Sequence, residues 1–353
     1  DCETPLDFTL DDLEVKDPDP TVLLDFLTRM EFRTLTRRVA DQAGVEAPAI
    51  PEAAAPAADA ATDLPEQPPF APDSYTCVTD IETLEAWIAE IRALGHVALD
   101  TETTGLNDMT ADLVGISLAT APGRACYIPL AHKAEGGGDG LFADDTVAQG
   151  QIPLQAALDA LRPVLEDPAI LKIGQNMKYD AKILHRYGLR IAPIDDTMLL
   201  SYAMHGGLHG HGMDQLSERY LSHNPIPIKE LIGSGKSQIT FDRVPIPEAT
   251  RYAAEDADIT LRLWEQFRPA LHRARVTTVY ETLERPLIPV LARMEMSGVL
   301  VDRDTLSRMS NAFAQKMAGL EAEIHELAGE TFNVGSPKQL GEILFDKMSL
   351  PGG

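Results

Sequence analysis

The stretch His96-Val-Ala-Leu-Asp-Thr-Glu-Thr-Thr-Gly-Leu106 combines a strand pattern with a pair of acids. Its apolar beginning is typical of a buried strand, and Gly105 marks the end of that strand. Asp100 and Glu102 are two residues apart, a spacing that places both side chains on one face of a strand. Two such carboxylates repel each other unless a cation lies between them, and oxygen ligands suit Mg²⁺ or Mn²⁺. The alternative, from this stretch alone, is a pair of solvated acids on a loop.

Composition limits the classes of protein to which the chain can belong. It has 353 residues, 44% of them apolar, enough for about two domains with sizeable cores. No apolar run is long enough to cross a membrane, and the acidic N-terminus lacks the basic and apolar parts of a signal peptide. Cys2, Cys77 and Cys126 are isolated, which fits neither a disulfide framework nor a zinc site. We therefore expect a cytoplasmic protein with no membrane partner.

The net charge disfavours a nucleic-acid partner. The chain has 55 acids and 30 bases, for a formal net charge of −25, whereas phosphate binding relies on Lys and Arg. An acidic chain still holds a few nucleotides if metal ions and local contacts grip them while a separate basic surface supplies most of the affinity. Charge alone therefore does not exclude such a substrate.

Shifts in composition divide the chain into four parts: 1–43, 44–74, 75–274 and 275–353. The first has an acidic start, expected to be disordered, and then apolar residues at helical spacing. The second is rich in Pro, Ala and acids, which predicts a semi-extended linker. The last carries long helical patterns, so we expect an all-helical segment that is truncated before its domain is complete.

The third part alternates strand and helix patterns, which predicts an α/β domain with a mixed sheet flanked by helices. Asp80 is expected to cap its first helix and Gly95 to end it. The glycine-rich loop 135–145 lacks the spacing of a phosphate-binding loop, and 205–212 holds three histidines among glycines, so both are expected to be mobile loops without a ligand. The predicted strands are 97–101, 113–120, 125–130 and 170–174, and the predicted helices are 80–94, 154–165, 179–187, 197–204, 213–221 and 247–273.

Two further acids lie in segments that are otherwise built for the interior. Gly174-Gln-Asn-Met-Lys-Tyr-Asp180 runs from a predicted strand into a helix, with Asn176 at the junction. Tyr252 and Asp256 are one turn apart on a helix whose inner face carries small and apolar residues. Small residues let a helix approach a sheet closely, which brings the helical acid to the strand end. We therefore expect these acids beside the first pair.

The three motifs Asp100-x-Glu102, Asn176-x-x-x-Asp180 and Tyr252-x-x-x-Asp256, in this order, resemble those of the DEDD superfamily of exonucleases, in its tyrosine-containing branch. Their flanking residues, VALDTETTGL, KIGQNMKYDAKIL and RYAAEDADITLRL, are similar to the proofreading exonuclease domain of the bacterial DNA polymerase I family. EFRTLTRRV resembles the junction after the 5′-nuclease domain of that family. ERPLIPVLARMEMSGVLVDRDTL and FNVGSPKQLGEILF resemble the start of its polymerase domain. The resemblance covers nearly the whole chain apart from the linker and the glycine-rich loop.

This resemblance implies a ribonuclease H-like fold for 75–274, a remnant after the 5′-nuclease domain for 1–43, and a polymerase domain cut before its palm for 275–353. The implied activity is 3′→5′ proofreading hydrolysis of DNA, chiefly at single-stranded 3′ ends. The full-length protein is expected to be a DNA-directed DNA polymerase of replication and repair, a nucleotidyltransferase with this polymerase domain in cis. A monomer associated with the nucleoid is expected, and the fragment itself should not polymerise.

The resemblance also implies that Asp100, Glu102, Asp180 and Asp256 hold two divalent cations, Mg²⁺ or Mn²⁺, with Zn²⁺ an alternative at one site. Asp100 would lie between both cations, Glu102 and Asp256 on the one beside the attacking water, and Asp180 on the second, directly or through water. Such a pair suits in-line displacement because charge builds on the entering and leaving oxygens. Tyr252 would orient the water, since a phenol with a pKa of about 10 is a poor base at neutral pH.

Substrate contacts are implied for residues that flank the motifs. Leu106 would be an apolar wedge against the terminal base, and Phe241 a ring on which any base stacks. A core position is the alternative for Phe241, and a helix-start cap is the alternative for Asn176. The complete set of expected contacts is Thr103, Leu106, Gln175, Asn176, Tyr179 and Phe241.

Two other functions share the four acids. One is a stand-alone exoribonuclease of the ribonuclease D type, which the segments on either side of the exonuclease pattern disfavour. The other is an inactive exonuclease-like spacer, which the presence of all four acids and Tyr252 disfavours.

Overall fold

The computed structural model describes residues 19–30, 32–48, 67–134 and 147–351. The predictions for residues 1–18, for most of the linker and for the loop 135–145 lie outside these ranges. The chain forms two compact units, Asp1–Met296 and Ser297–Gly353. No helix among the described residues is both long and apolar enough to cross a membrane.

A six-stranded mixed sheet forms the centre of the first unit. The strands are β1 (Thr76–Cys77), β2 (His96–Thr103), β3 (Leu113–Ala121), β4 (Arg124–Pro129), β5 (Leu171–Gly174) and β6 (Ile194–Asp196). Their spatial order is β1-β4-β3-β2-β5-β6. The pairs β2–β3 and β3–β4 are antiparallel, and the pairs β1–β4, β2–β5 and β5–β6 are parallel. The predicted mixed α/β sheet is therefore confirmed, and β2 lies inside it with partners on both sides.

Helices accompany the sheet in the first unit. They are α1 (Pro20–Arg29), α2 (Arg33–Ala43), α3 (Ile81–Leu94), α4 (Leu154–Leu165), α5 (Met177–Arg186), α6 (Thr197–His205), α7 (Met213–Leu216), α8 (Ile228–Ile232), α9 (Ile246–Arg273), α10 (Thr277–Val279) and α11 (Arg285–Ser297).

The alternation of side chains along β2 assigns its two faces. Val97 and Leu99 are buried in the large core that includes apolar residues of α3, α4 and α5. Ala98 points the other way, into a smaller cluster with Ala254 and Ala257 of α9. Small residues on both sides let α9 lie close to the sheet. The acids of β2 have the parity of Ala98 and therefore lie on the α9 face.

Local signals predicted most helix boundaries. The Asp80 side chain accepts a hydrogen bond from the backbone N–H of Thr83 at the start of α3, and Gly95 ends that helix with φ of 75°. The helix predicted over 213–221 is instead α7 followed by a π-helical turn, Ser217–Leu221. The edge strands β1 and β6 were not predicted, because two or three residues are too few to show an alternating pattern.

Residues beyond α9 belong partly to the first unit. Ile288 of α11 is buried in the large core, and Arg285 makes an ion pair with the buried Asp195 at 3.0 Å. The first unit therefore extends to Met296, whereas the predicted boundary at 274/275 stays a prediction. The second unit is helical where it is described, as expected: α12 (Arg303–Ala328), α13 (Pro337–Gly341) and a π-helical turn, Glu342–Lys347.

Candidate active site

β2 and α9 bring three carboxylates together. Asp100 and Glu102 project from the face of the sheet that α9 covers, and Asp256 projects from α9. One carboxylate oxygen of each residue lies within 4.8 Å of the other two. Asp256 is 7% exposed and Glu102 is 9% exposed, and Asp100 is half-buried. This enclosure does not fit the alternative of two solvated acids on a loop.

Asp180 reaches the neighbourhood of these acids from the first turn of α5. Its Oδ1 accepts hydrogen bonds from the backbone N–H of Thr101 at 3.0 Å and from the Thr101 hydroxyl at 2.6 Å. Thr101 lies between the two acids of β2, so these bonds tie α5 to the strand beside the carboxylate group. Asp180 is buried, and its oxygens are not part of the group of three.

The electrostatics of the site favour protonation or a cation. Burial is the largest cause that raises the pKa of Asp100, Glu102, Asp180 and Asp256 well above the ordinary value. Repulsion adds to it: the charge of Asp256 raises the pKa of Asp100, and the charges of the other three acids raise the pKa of Glu102. Three buried carboxylates beside the half-buried Asp100 repel one another and are unstable if all four are ionised and no cation is present.

The donor set fits divalent cations. Oε1 of Glu102 is buried and has no hydrogen-bond partner among the described residues, although buried polar atoms are normally satisfied. The converging ligands are all carboxylate oxygens, which hard cations such as Mg²⁺ and Mn²⁺ prefer. A cation would both satisfy the Glu102 oxygen and neutralise the repulsion.

Tyr252 lies one helical turn before Asp256 and is half-buried beside the acids. Burial, and then the charges of Asp256 and Glu102, raise the pKa of its phenol. Its hydroxyl therefore stays protonated at neutral pH and acts as a donor or as an acceptor through its lone pairs.

For Phe241, the structure favours the alternative of a core position over the expected role as a stacking surface for a base. Phe241 is 5% exposed and belongs to a core cluster with Val114, Tyr127 and Val244. Its ring centroid lies 6.0 Å from that of Tyr252. A side chain enclosed in this way offers no open face to a base, because the apolar core already covers it.

Three of the expected contact residues form one small assembly at the end of β2. The hydroxyls of Thr103 and Tyr179 lie 2.5 Å apart, and the Tyr179 hydroxyl also donates to the carbonyl of Gly105 at 2.7 Å. Leu106, the next residue, is 98% exposed. A fully exposed leucine next to an anchored backbone is a suitable apolar contact for a base.

The other two expected contacts lie at the start of α5. Asn176 occupies the N-cap position with φ of 63°, but its side chain makes no capping bond. Asn176 is therefore at a helix start, as the alternative had it. Its side-chain amide is exposed and can meet a ligand. Gln175 is more constrained, because its amide donates to the carbonyl of His211 at 2.8 Å and accepts from the Thr197 hydroxyl.

The three histidines of the segment 205–212, which was expected to be a mobile loop, contact one another and Tyr220. The ring of His209 lies 5.4 Å from that of His205 and 5.0 Å from that of His211. The Tyr220 hydroxyl is hydrogen-bonded to His209 Nε2 at 3.0 Å and to His205 Nδ1 at 3.1 Å. Within the described ranges, the acid group above is the one cluster whose ligand atoms converge as a metal site requires.

Residues 75–272 match the family described as 3′-5′ exonuclease, which is more than half of the chain. The chain belongs to this exonuclease family. Residues 303–353 match DNA polymerase family A. The exonuclease domain followed by a polymerase segment agrees with the resemblance seen in the motifs, and exonuclease domains of this kind use divalent metal ions.

The relatives of this exonuclease are named DNA polymerase I. The protein of Rhizobium leguminosarum is 46% identical over 99% of this chain and 40% of its own length. The protein of Pseudomonas aeruginosa is 42% identical over 81% of this chain and 31% of its own length. The chain thus spans less than half the length of these relatives. Among solved structures, the polymerase domain of Pol1 from M. smegmatis, in complex with DNA primer-template and dNTP, has a TM-score of 0.60 over 77% of this chain and 41% of that one, at 22% identity, which shows a shared fold.

One residue that helps to build the exonuclease site, Asp196, was not expected from the sequence. The Asp196 carboxylate accepts hydrogen bonds from the backbone N–H groups of Asn176, Met177 and Met198, at 3.0, 2.9 and 2.9 Å. It thereby fixes the starts of α5 and α6, and with them the position of Asp180. The only sequence signal was that Asp196 comes immediately before a predicted helix, which suggests a cap for α6. Its bonds to the start of α5 join two separate segments of the chain, and the sequence does not reveal such a contact.

Proposed function

We propose that the chain hydrolyses DNA from single-stranded 3′ ends, one nucleotide at a time, as the proofreading exonuclease of a DNA polymerase I. The observation that supports this most is the enclosed group of Asp100, Glu102 and Asp256 with the unpartnered Glu102 oxygen. Asp180, bonded to Thr101 beside the group, is the fourth acid. Together the four would hold two divalent cations, Mg²⁺ or Mn²⁺, with Zn²⁺ as the alternative at one site.

The cations, when bound, activate water and offset the charge on the entering and leaving oxygens. The residues of the chain do the rest. Glu102 accepts a hydrogen bond from the attacking water, and Tyr252 orients that water through its protonated hydroxyl. Asp100 would be a ligand of both cations. Leu106 contacts the terminal base, and Thr103 and Tyr179 hold the backbone beside Leu106. Asn176 and Gln175 lie along the bound DNA strand.

The negative charge of the chain is compatible with this substrate. In the full-length protein, a polymerase domain in cis supplies most of the affinity for duplex DNA. The fragment of 353 residues is then a weak binder of single strands that depends on divalent cations. A monomer in the cytoplasm, associated with the nucleoid, is the corresponding assembly and location.

The test is digestion of a 3′-labelled DNA single strand with and without a chelator, for the wild type, Asp100→Ala and Asp256→Ala. We expect cation-dependent shortening by the wild type and its loss in both variants. Equal activity in the variants, or activity that survives chelation, would contradict the assignment. A matched RNA strand run in parallel separates this function from that of a ribonuclease D-type enzyme, which would prefer the RNA.

A further inference from the structure

The loop between β2 and β3, residues 104–112, carries Leu106 and closes mainly on itself. The backbone N–H of Thr104 donates to the carbonyl of Asp112 at 3.0 Å, and that of Ala111 donates to the carbonyl of Asn107 at 2.7 Å. Its large apolar side chains, Leu106 and Met109, are exposed. Ala111, near the end of the loop, is buried in the large core, but the part around Leu106 has no buried apolar side chain and keeps its position through the groups to which it is tied.

One face of α5 supplies those ties. Tyr179, Lys182 and Arg186 follow at helical spacings of three and four residues, so they line one side of the helix. Tyr179 binds the carbonyl of Gly105, as described above. The Lys182 ammonium makes an ion pair with the Asp108 carboxylate. The Arg186 guanidinium donates to the carbonyls of Asp108, at 3.2 Å, and Ala111.

Lys182 is the buried member of this set. It is 4% exposed, and a lysine almost never takes such a position unless it is paired. Its ammonium also pairs with Glu295 of α11. Burial alone lowers the pKa of Lys182, but the bonds to Asp108 and Glu295 outweigh burial and raise it. The ammonium therefore lies between two carboxylates and pairs with both.

We propose that Lys182 is a positioning residue for the nuclease: through Asp108 it holds the loop 104–112 so that Leu106 projects to the place where the terminal base binds. The proposal rests on the exonuclease function given above. It assigns to α5 two tasks, since the same helix carries Asp180 to the carboxylates and fixes the loop that meets the base. Lys182 acts only through the loop and touches no reacting atom.

Lys178 is a matched control on the same helix. Its ammonium pairs with Glu295 at 2.5 Å, and no hydrogen bond or ion pair joins it to the described residues of the loop 104–112. Lys182→Met and Lys178→Met therefore each remove one partner of Glu295, but only the first releases Asp108. Both variants are expected to fold, because Met keeps the apolar stem, Asp108 has access to water, and Glu295 retains one lysine in either case.

The kinetic experiment compares two substrates with Mn²⁺. One is a 3′-labelled DNA single strand, and the other is bis(p-nitrophenyl) phosphate, a phosphodiester without a base. For Lys182→Met we expect kcat/KM on the DNA strand to fall about tenfold, since a displacement of about 1 Å costs this much or more, while hydrolysis of the base-free ester stays at the wild-type rate. Lys178→Met should match the wild type on both. Asp108→Asn should reproduce Lys182→Met, and the double variant should lose no more than either single one.

An equal loss on both substrates would overturn the proposal, because Lys182 would then support the carboxylates in general. Additive losses in the double variant would also overturn it. A measurement independent of activity is hydrogen–deuterium exchange of the peptide that covers 104–112. Exchange should be faster in Lys182→Met than in the wild type and in Lys178→Met, and unchanged exchange refutes the anchoring even if the chain proves to have no nuclease activity. Absence of activity in the wild type, by contrast, counts against the proposed function alone.

Discussion

At the scale of single residues, Tyr252 shows how the protein environment sets the role of a side chain. Burial and the neighbouring acids raise the pKa of its phenol, which supports the proposed role of orienting water without removing a proton. For Tyr252→Phe we therefore predict a fall in kcat of about a hundredfold, the usual effect of removing one oriented hydrogen-bonding group. KM should change little, because the ring that fills the space remains. Steady-state digestion of a 3′-labelled single strand measures both constants.

The pH profile of this variant provides the control. If Tyr252 were a base, the wild-type rate would follow the ionisation of the phenol and the Phe variant would lose that limb of the profile. With an orienting role, the two profiles have the same shape and differ only in height.

The sequence revealed those site residues whose chemistry is unusual for their setting. Asp100 and Glu102 stood out because two acids at a strand spacing need a reason to be there. Phe241 carried no such signal: an aromatic residue in a loop-rich segment is compatible with a stacking surface and with a core, and only the positions of Tyr127 and Val244 around it decide for the core. Apolar residues are ambiguous in this way because their neighbours determine their role.

At the scale of helices and strands, Asp196 organises the half of the site that comes from α5. Its carboxylate serves two helix starts at once and is almost wholly buried. We predict that Asp196→Ala lowers the free energy of unfolding by about 2–4 kcal/mol, since it removes caps and leaves buried N–H groups without partners. Chemical denaturation of the fragment measures this loss.

Asp80→Ala is the matched control for that variant. Asp80 is an exposed N-cap at the start of α3, a helix that carries none of the four acids, and it serves a single helix. Its loss should cost about 1 kcal/mol and leave nuclease activity unchanged. If both substitutions had the same effect on stability and activity, Asp196 would be an ordinary cap and would not position Asp180.

Helices with caps and a periodic apolar face were predictable, and short strands were not. α4 has the predicted bounds, and α3 has its predicted cap. β6 has only three residues, and its partner β5 lies in a separate segment of the chain, with Lys172 paired to Ile194 and Gly174 to Asp196. Local sequence carries no record of such a partner, so the edges of the sheet and the second task of Asp196 became visible only in the folded chain.

At the scale of the whole molecule, the −25 charge and the enclosed acids predict that the chain depends on cations in two ways. Repulsion over the surface is general and is screened by any salt. Repulsion in the site is local, because the four acids are enclosed and little screened, and only an ion that enters the group relieves it. The two effects are separable, because monovalent salt acts on the first and a few equivalents of divalent cation act on the second.

The pKa shifts of the four acids predict how stability depends on pH when cations are chelated. A carboxyl whose pKa is raised on folding binds more protons in the native state than in the unfolded state, so the free energy of unfolding falls as pH rises from about 4, the unfolded pKa, through the raised native pKa. We therefore predict that the melting temperature in chelator falls as the pH rises above about 5. Saturating Mn²⁺ should reverse this fall, by about 5 °C at a hundredfold excess over its Kd, and more at pH 8 than at pH 5.

In Asp100→Asn, the fall should be smaller and the Mn²⁺ effect largely lost, whereas the exposed Glu85→Gln, which removes the same charge from the surface of α3, should behave as the wild type. A steep fall that persists in Asp100→Asn would place the pH dependence in the surface charge, because the local group would then contribute too little to be measured.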